Sequence, residues 1–238
     1  MKRVFNKPFD LLHGFLHARN LVKVDVTERP LVPNSIAFES YIDCFHHNCR
    51  EDIRWMGKKA SKFPSDAWII QEIIYETRPD VIVEIGNWCG GSTLFLANML
   101  DILGKGRVIA IDVDHSLVDF EHPRITWVSG DANSRLVLSR VESLINPEEN
   151  TMVVEDSSHT FGNTLSVLRN YGKFVKKGMY FVVEDGICRY SFIEDGPKPG
   201  PFEAVHEFLR ENKDFMIDKE REKFILTYNP DGYLKCIR

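Results

Sequence analysis

Residues 81–93 read VIVEIGNWCGGST, a mostly apolar run followed by a glycine-rich loop. The run Val81–Ile85 has the length and the branched side chains of a buried strand. The glycines after it allow the backbone to turn sharply and to approach a ligand before a helix begins. The stretch therefore predicts a strand, a binding loop and a helix, which is the first unit of an α/β fold.

Four more apolar runs, mostly rich in valine and isoleucine, follow this unit. They are Val108–Ile111, Ile125–Val128, Met152–Val154 and Met179–Val183. Helical patterns lie between most of the runs, among them Ser92–Leu103, Ser134–Ile145 and Thr160–Val175. Such alternation is typical of a parallel sheet with helices on both faces.

The two ends of the chain depart from this alternation. Apolar side chains recur at helical spacing over residues 35–57, which predicts an amphipathic helix. A second helix is expected to begin at Pro64 and to end before Pro79. Near the carboxyl terminus, Lys223–Tyr228 and Tyr233–Ile237 flank a turn sequence, which predicts an antiparallel hairpin at the sheet edge.

Composition limits the class of protein. The chain has 238 residues, with 30 basic and 35 acidic side chains and a formal net charge of −5. This balance excludes a globally basic nucleic-acid-binding protein, and no apolar run is long enough to predict a transmembrane segment. The five cysteines include no CxxC pair and the amino terminus is a poor secretory signal, so we expect a cytoplasmic protein. We divide it into a helical extension over residues 1–62 and an α/β domain over residues 63–238.

Acidic residues stand at or just after the end of every predicted strand. They are Glu84, Asp112, Asp131, the pair Glu155-Asp156 and the pair Glu184-Asp185. In an open parallel sheet, ligands bind outside the carboxyl ends of the strands. Like charges crowded on one rim repel each other unless a cation or a hydroxyl-rich ligand joins them. We therefore predict a binding site on this rim, although a single acid at such a position is also typical of a helix N-cap.

The glycine-rich loop narrows the choice of ligand. Trp88 stands where GxGxxG has its second glycine, and no Gly-Lys-Ser/Thr follows, so NAD and ATP are disfavoured. Asp112, about 26 residues after Gly86, is placed to accept hydrogen bonds from ribose hydroxyls. A ribose-bearing ligand that needs no phosphate loop fits S-adenosylmethionine.

A second constellation combines Asp156 and His159 with Glu184-Asp185. Three carboxylates that end neighbouring strands can converge, and an all-oxygen ligand set favours Mg²⁺, with Mn²⁺ or Ca²⁺ as alternatives. A bound dication lowers the pKa of a substrate hydroxyl. The near-neutral ordinary pKa of histidine suits His159 as the general base for that hydroxyl, although a polar structural contact is the other interpretation.

These motifs resemble those of class I methyltransferases, and more narrowly those of the metal-dependent O-methyltransferases. Residues 83–92 are similar to the cofactor loop of catechol O-methyltransferases, and residues 63–81 resemble the cephalosporin hydroxylase family, which includes rhamnosyl O-methyltransferases. Asp156 and His159, followed by the Glu-Asp pair, are similar to the motifs of macrocin- and mycinamicin-type sugar O-methyltransferases. The resemblance covers roughly residues 60–190.

The resemblance implies a Rossmann-like fold with a mainly parallel seven-stranded sheet, and a role for each matching residue. The methionine end of S-adenosylmethionine is expected against Glu84, Gly86, Asn87, Gly90 and Ser92, the ribose at Asp112, and the adenine between Asp131 and Ala132. Asp156, Glu184 and Asp185 are expected to hold Mg²⁺. His159 is the expected base, where catechol enzymes have a lysine. The implied activity is methyl transfer to a hydroxyl of a sugar or natural product.

Several alternatives stay open at this point. A catechol-type O-methyltransferase or a non-catalytic protein of the same fold would carry similar motifs. A zinc site at Cys44 and Cys49 with His46 and His47, a nicotinamide-dependent enzyme and an iron-dependent hydroxylase are disfavoured, because their ligand spacings or motifs are poor or absent. The acceptor is expected to be recognised by residues 1–60 and by the loop 187–201, which could close as a lid. A homo-oligomer is also expected from the resemblance.

Overall fold

The structure is a computed structural model, which describes residues 36–189 and 198–238. In chain order the helices are α1 (Ile36–Asn48), α2 (Pro64–Thr77), α3 (Gly91–Leu103), α4 (Arg135–Leu144), α5 (Phe161–Tyr171) and α6 (Pro201–Glu211). The strands are β1 (Arg54–Trp55), β2 (Lys58–Lys59), β3 (Val81–Ile85), β4 (Arg107–Asp112), β5 (Ile125–Ser129), β6 (Thr151–Glu155), β7 (Tyr180–Val183), β8 (Phe215–Ile217) and β9 (Tyr233–Cys236). Most of the predicted extension, residues 1–35, and most of the predicted lid, residues 190–197, lie outside the described residues.

A seven-stranded sheet in the order β5-β4-β3-β6-β7-β9-β8 forms the centre of the protein. The five strands from β3 to β7 pair in parallel, and β9 is antiparallel to both of its neighbours. Strands β3 and β6 are buried along their whole length, as expected for a parallel sheet covered on both faces. The predicted α/β class and the mainly parallel sheet are confirmed.

Chain order reverses at the centre of the sheet. From β3 the chain adds β4 and β5 on one side and then returns to place β6 and β7 on the other. Because parallel crossovers are right-handed, this reversal puts the connecting helices on opposite faces. The carboxyl ends of β3 and β6 therefore border the crevice where open α/β sheets bind ligands.

Helix boundaries follow local capping chemistry. Pro64 begins α2, where a missing N–H costs nothing, and Arg78 ends it in a left-handed conformation. The hydroxyls of Ser134 and Thr160 accept hydrogen bonds from the first turns of α4 and α5. The predicted helix Thr160–Val175 is shorter than expected, because a 3₁₀ turn over Gly172–Phe174 replaces its last turn.

The antiparallel pair at the sheet edge is confirmed, but its first strand is not Lys223–Tyr228. Strand β9 pairs instead with β8, which lies before a 3₁₀ turn at Lys219–Glu222. Residues 223–228 form a loop whose Thr227 hydroxyl and Tyr228 N–H donate to Asp66 at 2.5 and 2.8 Å. These hydrogen bonds attach the loop, and the turn that follows it, to α2.

The predicted helix over residues 35–57 ends early, at Asn48. Met56 and Gly57 take positive φ values and form the turn between β1 and β2, a geometry that an α-helix does not allow. This small hairpin, together with a 3₁₀ turn at Arg50–Asp52, borders the rim of the main sheet.

Within the described residues, no helix combines the length and the hydropathy needed to cross a membrane.

Candidate active site

Two adjoining cavities open at the carboxyl ends of the central strands. The first has a volume of about 430 Å³ and the second about 350 Å³. Four residues line both of them: Gly86, Trp88, Asp156 and Ser157. A ligand in the first cavity therefore reaches the second at the junction of β3 and β6.

Gly86 allows the carboxyl ends of β3 and β6 to lie close together. Its φ is +88°, and a Cβ added there would lie 2.0 Å from the carbonyl oxygen of Asp156. The Gly86 N–H donates to Ile111 O at 2.9 Å, and the Asp156 N–H donates to Ile85 O at 2.8 Å. Glycine is required here for both its conformation and its size, and it lets Asp156 approach the loop after β3.

Two carboxylates hold this loop in place. Asp112 Oδ2 accepts hydrogen bonds from the backbone N–H groups of Asn87, at 2.6 Å, and Trp88, at 3.0 Å. Glu84 accepts from Asn87 Nδ2 at 2.9 Å and from the hydroxyl of Thr93. Burial raises the pKa of Glu84. Glu84 is thus an internal brace for the loop, whereas Asp112 also lines the first cavity.

The first cavity combines acids with apolar walls. Asp112, Asp131 and Ala132 line it, together with the exposed side chains of Val113 and Leu117. The Ala132 carbonyl accepts a hydrogen bond from the buried Tyr171 hydroxyl at 2.8 Å, which fixes this wall to α5. Carboxylates that accept from ribose hydroxyls, beside an apolar wall for a flat base, fit a nucleoside.

An acid and histidine cluster forms one wall of the second cavity. His159 Nε2 lies 3.2 Å from Asp156 Oδ1 and 3.0 Å from Asp185 Oδ2. Burial alone lowers the pKa of His159, but Asp185 and Asp156 outweigh it and raise the pKa to about 9. The two carboxylates therefore attract positive charge to the point between them.

The same cluster fits a divalent cation. Ligand atoms of Asp156, His159 and Asp185 all lie within 4.8 Å of one another. Carboxylate oxygens are the ligands that hard cations such as Mg²⁺ prefer. Among the residues that the structure describes, this is the group with the geometry to hold a metal, and Cys44 and Cys49 form no such group.

Lys62 is a further member of the cluster that sequence patterns did not single out. Its Nζ lies 2.7 Å from Asp156 Oδ2 and 2.5 Å from Glu184 Oε2, and the side chain is almost fully buried. Burial alone lowers the pKa of Lys62, but Asp156 and Glu184 raise it well above its ordinary value. Glu184 therefore faces Lys62 and lines neither cavity.

A turn from the carboxyl-terminal region orients Asp185. Asp185 has a φ of +56°, and its N–H donates to Asn229 Oδ1 at 3.1 Å. The next residue, Gly186, packs so closely that an added Cβ would lie 2.8 Å from Pro230 O. Because Asx side chains and glycine tolerate such geometry, Asp185 can turn toward His159 two residues after β7 ends.

The structure thus divides the predicted cofactor residues into three groups. Gly86, Asp112, Asp131 and Ala132 line the first cavity, and Asn87 and Ser92 line the second along with Gly86. Glu84 and Gly90 line neither; Glu84 braces the loop, and Gly90 begins α3 in a left-handed conformation.

Comparisons with known proteins agree with this fold. A family model described as rhamnosyl O-methyltransferase/CmcI matches residues 47–237. A curated rhamnosyl O-methyltransferase of Mycobacterium leprae (strain TN) is 30% identical over 186 residues, which cover 76% of this chain and 81% of that protein.

Solved structures show the same fold at lower identity. A CmcI structure with Mg and SAM has a TM-score of 0.64 at 20% identity, covering 100% of this chain and 88% of that one. The MycE methyltransferase from the mycinamycin biosynthetic pathway, in complex with Mg, SAH and mycinamycin VI, has a TM-score of 0.51 at 17% identity. That match covers 74% of this chain and 48% of the MycE chain.

Proposed function

This chain belongs to the rhamnosyl O-methyltransferase/CmcI family of S-adenosylmethionine-dependent O-methyltransferases, and we propose that it methylates a hydroxyl of a sugar with Mg²⁺ and His159. The observation that carries the proposal is the junction of the two cavities. Asp156 lines both cavities, and His159 lies on the wall of the second. A methyl donor in the first cavity would face an acceptor hydroxyl in the second.

The first cavity would hold S-adenosylmethionine. Asp112 would accept from the ribose hydroxyls through Oδ1, which accepts a single long hydrogen bond from the Asp114 N–H at 3.3 Å, whereas Oδ2 accepts from the N–H groups of both Asn87 and Trp88. Asp131 and Ala132 would border the adenine. Gly86 would let the donor pass close to the backbone toward Asp156.

Of the cluster that could hold a metal ion, Asp156 and Asp185 would be the ligands and His159 would stay free to act as the base, with Glu184 as the third predicted ligand. Mg²⁺, when bound, would supply a Lewis acid that lowers the pKa of a hydroxyl. In the structure Glu184 is paired with Lys62, so it would join the ligand set by sharing its carboxylate. Mn²⁺ and Ca²⁺ suit the same oxygen donors.

His159 would act as the general base through Nε2. Its imidazolium is stabilised by Asp156 and Asp185, and a cation held by these carboxylates would weaken that stabilisation and favour the neutral imidazole. The neutral imidazole would accept the proton of the acceptor hydroxyl. The hydroxyl oxygen would bond to the methyl group in line as the S–C bond of the sulfonium breaks, with the electron pair left on sulfur in S-adenosylhomocysteine. The walls of the two cavities would orient donor and acceptor, which contributes much of the rate enhancement.

A sugar acceptor is supported by the names of the relatives and by the polar lining of the second cavity.

Three expectations from the sequence stay predictions. They are the division of the chain into two parts at residue 62, its location in the cytoplasm and its assembly into a homo-oligomer.

Calorimetry with S-adenosylhomocysteine, with and without Mg²⁺, tests the donor site. We expect binding in the micromolar range; no binding at high micromolar concentration would overturn the proposal. Methyl transfer from labelled S-adenosylmethionine to a panel of rhamnosides tests the acceptor class, and addition of a chelator is expected to abolish it.

A further inference from the structure

Two cations and the carboxylate of Glu51 line the second cavity, and we call this group its basic end. Arg50 and Lys59 line it together with His159 and Asp185, so a molecule bound there can meet both the reacting groups and these two cations. Arg50 lies in the 3₁₀ turn after α1, and Lys59 ends β2. Neither residue belongs to the predicted donor or metal sites.

The two cations are incompletely paired. Their shared carboxylate neighbour is Glu51, which lies 3.7 Å from Arg50 and 3.8 Å from Lys59, beyond hydrogen-bond distance. Arg50 Nε is buried without a hydrogen-bond partner among the residues that the structure describes. Buried donors are nearly always paired, so this one leaves room for an acceptor, which an ordered water or a ligand oxygen can supply.

The acid cluster does not account for these cations. Asp156 and Glu184 already have Lys62 within 2.7 Å, and Asp185 has His159 at 3.0 Å. Within the described ranges, neither Arg50 nor Lys59 forms an ion pair with these three acids. At ion-pair distance, the two positive charges of the basic end therefore face the single carboxylate of Glu51, and Arg50 also attracts Asp185 over a longer distance.

We infer that Arg50 and Lys59 form a subsite for an anionic group, a phosphate or a carboxylate, carried by the sugar acceptor. This inference rests on the proposed function, because it assumes that the acceptor occupies the second cavity. A guanidinium can bind two oxygens of a phosphate or carboxylate at once, and an ammonium adds a point charge beside it. The acceptor would thus be held by its anionic group in the cavity that also presents His159 to its hydroxyl.

Trp88 supports the placement of Lys59. Its ring is 41% exposed, lines both cavities and has Lys59 Nζ 5.4 Å from its centre. A non-glycine aromatic residue with a φ of +43° is strained, and such strain is concentrated at functional sites. The ring offers an apolar face to a sugar and holds Lys59 at the cavity wall.

The experiment measures binding of three sugars to the full chain in the presence of S-adenosylhomocysteine and Mg²⁺. Glucose 1-phosphate carries a phosphate, methyl glucuronide carries a carboxylate, and methyl glucoside is the neutral ring. We expect at least one anionic sugar to bind about tenfold more tightly than methyl glucoside. The stronger of the two anions identifies the group that the subsite prefers.

Arg50→Gln and Lys59→Gln should each reduce this preference severalfold. Arg210→Gln, which removes an exposed charge on α6, is the matched control and should leave it unchanged. Each variant must still bind S-adenosylhomocysteine as the unchanged chain does, which shows that it is folded.

Two outcomes overturn the subsite while leaving the proposed function intact. One is equal binding of the neutral and anionic sugars by a chain that binds S-adenosylhomocysteine. The other is a preference for the anion that survives both Arg50→Gln and Lys59→Gln, which would assign it to the metal. Failure of the unchanged chain to bind S-adenosylhomocysteine would instead overturn the proposed function.

Discussion

Lys62 Nζ lies 2.7 Å from Asp156 Oδ2, inside a cluster of acids at the carboxyl ends of the central strands. The pair links the segment before α2 to the residue that follows β6, ninety-four positions apart in sequence. A buried lysine beside buried acids reduces their mutual repulsion and lets them occupy one wall of a cavity.

Replacing Lys62 with methionine removes this charge at similar side-chain length. We expect Lys62→Met to lower the free energy of unfolding by about 3–5 kcal/mol, because it leaves buried carboxylates without a partner. Mg²⁺ should raise the melting temperature of this variant more than that of the unchanged chain. Thermal and urea denaturation with and without Mg²⁺ measure both effects.

Lys105→Met is the control, since Lys105 is half-exposed and pairs with Asp80. It should cost no more than about 1 kcal/mol. Equal losses in the two variants would show that Lys62 is not needed by the acid cluster.

Gly86→Ala tests the junction of β3 and β6. The added Cβ would collide with the Asp156 carbonyl, so we expect both lower stability and loss of S-adenosylhomocysteine binding. Gly104→Ala provides a close match, because Gly104 also has a positive φ but has open space around its Cα. The control should lose about 1–2 kcal/mol from backbone strain alone and bind normally. Calorimetry that finds unchanged binding in Gly86→Ala would contradict the proposed donor site.

His159→Gln separates catalysis from binding. We expect methyl transfer to an acceptor identified from the rhamnoside panel to fall about 10²–10⁴-fold, the usual contribution of a general base. S-adenosylhomocysteine affinity should stay within about twofold, because His159 does not line the first cavity. Full turnover by a variant that binds donor and metal normally would remove His159 as the base.

Asp66 predicts a dependence of stability on pH. Burial raises the pKa of Asp66 to about 6, against about 3.9 in an unfolded chain. The folded chain therefore binds the extra proton, and this contribution to stability is complete below about pH 4 and is lost as the pH rises through about 6.

Asp66→Asn removes this titration. Between about pH 4.5 and 7.5, the variant should lose less stability than the unchanged chain, by about 2 kcal/mol. Urea denaturation at several pH values measures the difference, with the exposed Glu148→Gln as the control. Parallel pH profiles for Asp66→Asn and the unchanged chain would contradict the raised pKa.

The strands of the parallel sheet, the loop after β3 and the acids at the rim were all predictable from the sequence. Each depends on a local pattern: a run of branched apolar residues, glycines after it, and an acid at a strand end. Local patterns were less reliable outside the parallel sheet. Helix α1 ends at Asn48 instead of continuing to residue 57, and β9 pairs with β8 rather than with residues 223–228. Long-range pairing fixed these boundaries, and periodicity within one segment carries no information about it.

The set of side chains that form the site was only partly predictable from the sequence. That Asp156 and Asp185 meet follows from their positions at the ends of neighbouring strands, which strand order implies. That Lys62 lies between Asp156 and Glu184, and that Arg50 and Lys59 form a basic end, depends on how the segment before α2 folds over the rim. Nothing distinguishes these three cations from the chain's other basic residues until packing brings them beside the acids, because charge acts through distance in space rather than along the chain.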